Sequence, residues 1–183
     1  MYCKGEGVEN DYLKAVMFYE KACNGGEVYG CTAIGSMYYL GENIDEDYTK
    51  ALKFFKKACN GGEIRGCTAL GDMYYSGEGT KRDYLKAAAL YEKTCNGGEA
   101  YGCKVLGDMY YKGEGIKKER LKAIALYEKA CNGGEAYGCK VLGDMYYKGE
   151  GVEKDYLKAI QFIEKACNNG LKRECEMLRD IQK

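Results

Sequence analysis

The chain has 183 residues, with 28 Lys and Arg against 28 Asp and Glu, and it contains no His, Pro or Trp. A formal charge of zero argues against a nucleic-acid partner, which wants a basic face, and no apolar run approaches the ~20 residues that span a bilayer. Without His, mixed Cys–His zinc sites are excluded and the commonest general base is missing.

Residues 1–22 read as a partial first unit. Met1-Tyr2-Cys3 aligns with Met37-Tyr38-Tyr39, the last turn of a later helix, so the sequence is expected to start inside a repeat. Its first residues have no basic start and no apolar stretch of the secretory kind. The expectation is that an export signal has been lost upstream. From there the chain repeats every 36 residues, with paired cysteines at 23 and 31, 59 and 67, 95 and 103, 131 and 139, and 167 and 175. Such a period marks a stacked repeat architecture. The units are 23–58, 59–94, 95–130 and 131–166, followed by 167–183 as a C-terminal cap, all within one solenoid spanning 1–183. Residues 95–115 and 131–151 are identical, as a recent tandem duplication would leave them.

Each unit predicts two helices. In "DYTKALKFFKKAC", Tyr48, Ala51, Leu52, Phe55, Ala58 and Cys59 form one apolar face, and Lys50, Lys53, Lys56 and Lys57 take the other. Asp47 is the expected N-cap, as are Asp11, Asp83 and Asp155. After an "NGGE" turn, the second helix in "IRGCTALGDMYYS" carries Ile64, Cys67, Leu70 and Tyr74 as a stripe. Gly71 interrupts it at a cost of about 1 kcal/mol against Ala. Since Gly35, Gly107 and Gly143 repeat it, the glycine is expected to admit a neighbour's bulky side chain. A following "GEG" ends the helix. Strands are not expected, because period-two alternation is absent. The fold class is therefore all-α: an α-solenoid, or α/α superhelix, of stacked antiparallel helix pairs. In the last unit Glu174 replaces the Gly of positions 30, 66, 102 and 138, and Arg179 replaces the packing Gly. Charges in those places suggest a polar end on which nothing stacks.

The paired cysteines allow several chemistries. Structural zinc sites favour C-x₂₋₄-C and four ligands, and redox catalysis favours C-x-x-C; C-x₇-C fits neither. A small apolar side chain filling helix gaps is one remaining reading. A disulfide staple across the helix–turn–helix reversal fits better, since that reversal can bring the Cα atoms within ~4.4–6.8 Å. A loop of this length stabilises by roughly 2.5 kcal/mol on the chain-entropy estimate, and such bonds persist in oxidising compartments. Cys3 stands where other units have Tyr39, Tyr75, Tyr111 and Tyr147, so it is expected to be a free thiol.

The pattern A-x-x-L/Y-x-K-A-C-N-G-G with C-x-x-L-G-D-M-Y-Y-x-G-E-G resembles a Sel1-like repeat, a relative of the tetratricopeptide repeat. Carried by Cys95-Asn96-Gly97-Gly98, Cys103, Leu106-Gly107-Asp108-Met109-Tyr110-Tyr111 and Gly113-Glu114-Gly115, it is similar to the Helicobacter cysteine-rich proteins. The resemblance implies a right-handed stack and pairing within each C-x₇-C: Cys23 with Cys31, Cys59 with Cys67, Cys95 with Cys103, Cys131 with Cys139 and Cys167 with Cys175. It also implies a secreted or periplasmic protein that engages host immunity, and the family carries a label of penicillin binding with weak β-lactamase activity.

The residues give that label little support. Neither Ser36 nor Ser76 begins an S-x-x-K motif, and Glu78, Glu114 and Glu150 lie in glycine-rich loops where solvation is expected. No catalytic residue, metal site or cofactor is assigned. The preferred reading is a binding scaffold. Tyr101, Lys104, Asp108 and Tyr111 share one helix face, which Tyr137, Lys140, Asp144 and Tyr147 repeat. Aromatic rings beside charges suit peptide recognition. The alternative is that these tyrosines pack between units. The expected partners are a peptide, a cell-wall fragment or a host protein, with β-lactams as the second reading, and the chain is expected to act as a monomer.

Overall fold

The computed structural model describes residues 12–41 and 44–181, apart from the side chains of 180 and 181. Asp11 and Cys3, with the Met1-Tyr2-Cys3 start, lie outside the described residues. Among the described residues there are ten helices and no strand. They are α1 (Tyr12–Asn24), α2 (Val28–Leu40), α3 (Tyr48–Asn60), α4 (Ile64–Ser76), α5 (Tyr84–Asn96), α6 (Ala100–Lys112), α7 (Arg120–Asn132), α8 (Ala136–Lys148), α9 (Tyr156–Asn168) and α10 (Lys172–Ile181). Helices of this length are marginal alone, so packing must hold them. The chain divides into two compact units, Met1–Leu90 and Tyr91–Lys183. In the first, Ile34, Phe54, Phe55 and Met73 are buried; in the second, Met109, Tyr127, Leu142 and Met145 are.

Helices pair through a reversal that the sequence specifies residue by residue. The second glycine of each "NGG" turn takes a positive φ, 89° at Gly62, where a Cβ would be strained. The glutamate that follows then begins the next helix. Glu63 accepts from the backbone N–H groups of Arg65 and Gly66, and also from the Thr32 hydroxyl at 2.6 Å. It therefore caps α4 and ties it to α2. Each hairpin is closed by a disulfide between its two helices, with Cα–Cα distances of 4.5, 4.4, 4.5, 4.6 and 4.8 Å from first to last. The staples agree with the predicted pairing, and the cysteines are also part of the core: Cys67 and Cys139 are fully buried.

The hairpin is tight beside its staple. A Cβ on Gly66 would lie 2.5 Å from the Ala58 Cβ, and one on Gly138 would lie 2.9 Å from that of Ala130. This glycine thus packs against the preceding helix of its own pair, which corrects the expectation at Glu174. That side chain does not mark an uncovered end; it is only 5 % exposed, in the pair whose staple is widest at 4.8 Å. Arg179 is exposed.

Successive pairs interlock through the second glycine set. A Cβ on Gly35 would meet the Phe55 ring at 2.8 Å, one on Gly107 the Tyr127 ring at 2.9 Å, and one on Gly143 the Ile163 side chain at 2.7 Å. These are the bulky neighbours expected from the sequence. A polar rung accompanies them. Asp47 accepts from the Lys50 N–H at 2.9 Å, and Asp83 and Asp155 cap α5 and α9 in the same way. The ammonium of Lys50 pairs with Asp47 and lies 4.8 Å from the centre of the Tyr38 ring. Lys86 over Tyr74, Lys122 over Tyr110 and Lys158 over Tyr146 repeat the contact at 5.1, 5.2 and 5.3 Å. Each such contact contributes about 0.5–1 kcal/mol at an exposed site.

Two outcomes follow from this packing. Denatured but unreduced protein is expected to titrate about one thiol per chain with Ellman's reagent, whereas about eleven would refute the staples. Gly107→Ala must push the Tyr127 ring aside, so urea unfolding should show a loss of about 1–3 kcal/mol. An unchanged midpoint would show that the ring can yield freely.

Candidate functional site

The face expected to bind ligands begins at the second residue of α6 and of α8. Tyr101 is 39 % exposed and Tyr137 is 55 % exposed. One turn on, Lys104 pairs with Asp108 at 2.8 Å, and Lys140 with Asp144 at 2.7 Å. Tyr29 holds the same position on α2 in the other unit and is 74 % exposed. The reading from sequence passed over Tyr29, although its place two residues before Cys31 matches that of Tyr101 before Cys103.

Not every expected residue is available for a ligand. Asp108 accepts a hydrogen bond at 2.7 Å from the hydroxyl of Tyr127, a ring buried to within 1 %. Tyr111 packs against the core of its unit and donates to Glu150. Here the packing role, the alternative left open for the tyrosines, describes Tyr111, while Asp108 is engaged by Tyr127 rather than solvated. Tyr147 differs from its identical counterpart: it is 60 % exposed and meets Tyr156 edge-on at 5.4 Å.

The glutamates of the "GEG" loops are corrected too. Solvation was expected, but Tyr39 donates to Glu78 at 2.9 Å and Tyr111 donates to Glu150. Each bond joins a helix end to the loop one repeat later. Glu114 pairs with Lys112 at 3.6 Å. The signal was present in the sequence as a constant 39-residue separation between tyrosine and glutamate. It could not be recognised there because consecutive tyrosines offer two candidates. The serines have local roles: Ser76 lies 3.5 Å from the Met73 carbonyl, and Ser36 lines a cavity of about 200 Å³ with Tyr39, Phe55 and Asp72. Among the described residues no group of three potential ligands gathers around a metal position, and no helix is long and apolar enough to cross a membrane.

At the end of the second unit, α8, α9 and α10 enclose a groove of about 470 Å³. Gly143, Tyr147, Tyr156, Ile160, Ile163 and Met177 line it, with Asp144 and Lys148 at its polar side.

Burial and the carboxylate rungs raise the tyrosines' pKa values. For Tyr39, burial contributes most and the hydrogen bond to Glu78 next, taking the phenol from 10.0 to about 12. Burial followed by the bond to Asp108 raises Tyr127, and the bond to Glu150 followed by burial raises Tyr111. A folded-state pKa above the unfolded value means that the stabilisation is fully present below pH 10 and lost as pH rises to about 12. The phenolate absorbance difference between the native protein and Tyr39→Phe should therefore appear near pH 12. Glu78→Gln should move it back towards 10. A Tyr39 transition near 10 in the unaltered protein would contradict the rung.

The sequence matches the Sel1 repeat five times, at residues 1–27, 28–63, 64–99, 100–135 and 136–171. No curated protein matches it. Among solved structures, a protective antigen of uropathogenic Escherichia coli with an SLR fold is similar at 33 % identity and a TM-score of 0.89, over 94 % of this chain. This chain spans only 37 % of that antigen. A Sel1 repeat protein of Oxalobacter formigenes is similar at 28 % identity and a TM-score of 0.89, over 99 % of this chain and 74 % of its own. Cysteine-rich protein B of Helicobacter pylori is similar at 35 % identity and a TM-score of 0.58, over 76 % of this chain and all of its own. With five repeat matches, five stapled hairpins and these likenesses, the chain belongs to the Sel1 repeat family, whose repeats are protein-interaction modules.

Proposed function

We propose that the protein is a secreted or periplasmic scaffold that binds extended segments of other proteins. Peptides are the favoured ligands, ahead of cell-wall fragments, and a host protein is the favoured source. The observation that carries the reading is the recurrence, within the second unit, of an exposed tyrosine followed by a Lys–Asp pair on both α6 and α8. Tyrosine offers a large apolar area with a polar tip and little rotamer entropy to lose. The neighbouring Lys104 and Lys140 ammoniums, and the more exposed Asp144 carboxylate, can bond to a peptide backbone or to its charged side chains. Two such sets from successive repeats can grip one strand at two points. The five disulfides and the likeness to the Helicobacter protein support the compartment, because cytosolic thiols are kept reduced.

The β-lactam reading rests on resemblance alone, and no arrangement among the described residues favours it over peptide binding. Purified protein is expected to leave nitrocefin intact. Turnover that survives repurification and disappears on a single substitution would overturn the scaffold reading.

A displayed peptide library selected on the unaltered protein tests the face directly. Selected peptides should lose about tenfold or more in affinity for a Tyr101→Ala/Tyr137→Ala variant, as expected when aromatic anchors are removed. Enrichment that is indifferent to both tyrosines would place binding elsewhere.

A further inference from the structure

Inside the first unit, α2, α3 and α4 leave a cavity of about 200 Å³, lined by Ser36, Tyr39, Leu40, Phe55, Ala69 and Asp72. Three differences between repeats account for it. Two repeats on, the same places in α6, α7 and α8 hold Asp108, Tyr111, Lys112, Tyr127, Val141 and Asp144. There the Tyr127 hydroxyl takes up space as it donates to Asp108 at 2.7 Å, and Val141 packs against the core of its unit. In the first unit Phe55 has no hydroxyl, Ser36 has no carboxylate, and Ala69 lacks the branched methyls of Val141. The cavity is the room that those groups would fill.

Its lining has two chemical parts. Leu40, Phe55 and Ala69 are apolar, while Ser36 brings a hydroxyl and Asp72 a carboxylate beside the Tyr39 ring. Burial and the bond to Glu78 raise the Tyr39 phenol most, and Asp72 adds a smaller push, so two carboxylates act on one hydroxyl. A cation is favoured there, and the rings of Phe55 and Tyr39 favour it further. The other repeats show which cation. The aspartates equivalent to Asp72 each hold an ammonium from four residues earlier, Lys104 with Asp108 at 2.8 Å and Lys140 with Asp144 at 2.7 Å. On α4 that earlier residue is Thr68, whose hydroxyl donates to the Ile64 carbonyl at 3.1 Å. Asp72 keeps an interaction of its own, but a carboxylate has room for several donors. Asp108 holds the Lys104 ammonium and the Tyr127 hydroxyl together.

We propose that this pocket receives a lysine side chain of a bound polypeptide, its ammonium pairing with Asp72 and donating to the Ser36 hydroxyl, its methylenes lying against Phe55, Leu40 and Ala69. The ligand thus supplies the ammonium that Lys104 and Lys140 supply on α6 and α8. The proposal rests on the scaffold reading and names a residue its ligand carries. It uses a different surface from the Tyr101 and Tyr137 face.

The probe is acetyl-Gly-Lys-Gly-amide, titrated into the 183-residue protein and followed by amide shifts. Saturable shifts should gather at Ser36, Ala69 and Asp72, with an affinity in the millimolar range. The norleucine peptide, which lacks the ammonium, should bind about tenfold more weakly, and so should the lysine peptide to Asp72→Asn, the usual loss for a hydrogen bond to a charged group. Thr68→Lys installs the internal ammonium of the other repeats and should weaken binding in the same way. It leaves Asp72 in place, so the test stands even where Asp72→Asn fails to fold. The Tyr101→Ala/Tyr137→Ala variant should bind the lysine peptide normally, which separates failure of the exposed face from failure of the pocket. No saturation, shifts elsewhere, equal affinity for the lysine and norleucine peptides, or indifference to Thr68→Lys would overturn the proposal. So would n-butylammonium binding as tightly as the lysine peptide, since that outcome assigns the pocket to free amines rather than to a polypeptide.

Discussion

The close approach of two helices at each cysteine pair is the constraint on which the rest depends. A disulfide holds the Cα atoms of Cys59 and Cys67 at 4.4 Å, and the same approach leaves no room for a Cβ at Gly66, 2.5 Å from that of Ala58. The staple and the glycine are therefore one device. With the glycine in place the bridged Cα atoms lie 4.4–4.6 Å apart, and where Glu174 replaces it the bridge still forms, at 4.8 Å. The chain-entropy gain of roughly 2.5 kcal/mol per bond is large against a net folding stability of about 5–15 kcal/mol. It also acts locally, on each hairpin separately, which suits a molecule whose contacts are mostly between neighbours.

Once the hairpins are fixed, a second, weaker layer sets how they stack. Phe55 against Gly35, Tyr127 against Gly107 and Ile163 against Gly143 give the apolar part. Tyrosine–carboxylate and lysine–tyrosine rungs give the polar part. The division has a chemical consequence. The staples respond to reductants and not to pH, while the rungs respond to alkali and not to reductants. A repeat protein built this way can lose stacking between neighbours while its hairpins remain closed.

The hairpins were legible in the sequence and the rungs were not, for a physical reason. Period, cysteine spacing, Asp47-type caps and the interior glycines are local signals, each readable within a single repeat. The tyrosine–glutamate bonds join residues 39 positions apart and depend on which of two adjacent tyrosines turns towards the loop. Glu174 shows the same limit from the other side. Its charge suggested an open end, yet the position belongs to the inside of a hairpin, and only the helix against which it packs reveals that. The binding face was legible only in part. The Lys104–Asp108 spacing predicts an ion pair, but nothing in the local sequence announces that the Tyr127 hydroxyl will also reach Asp108.

Residues 95–115 and 131–151 make the point within a single chain. Their sequences are identical, but their surroundings are not. In the first copy Asp108 takes the hydroxyl of Tyr127, and its side chain is 20 % exposed; in the second the equivalent neighbour is Ile163, which has no donor, and Asp144 is 46 % exposed. Tyr111 is roofed by the loop of Glu150, while Tyr147 stands in an open groove. Function in such a repeat is therefore assigned by the next unit along the chain rather than by the unit itself. A duplicated segment keeps its fold because its staple and glycines travel with it. Where the neighbouring side chain has no donor, the carboxylate keeps only its own lysine, as Asp144 keeps Lys140, and is more exposed.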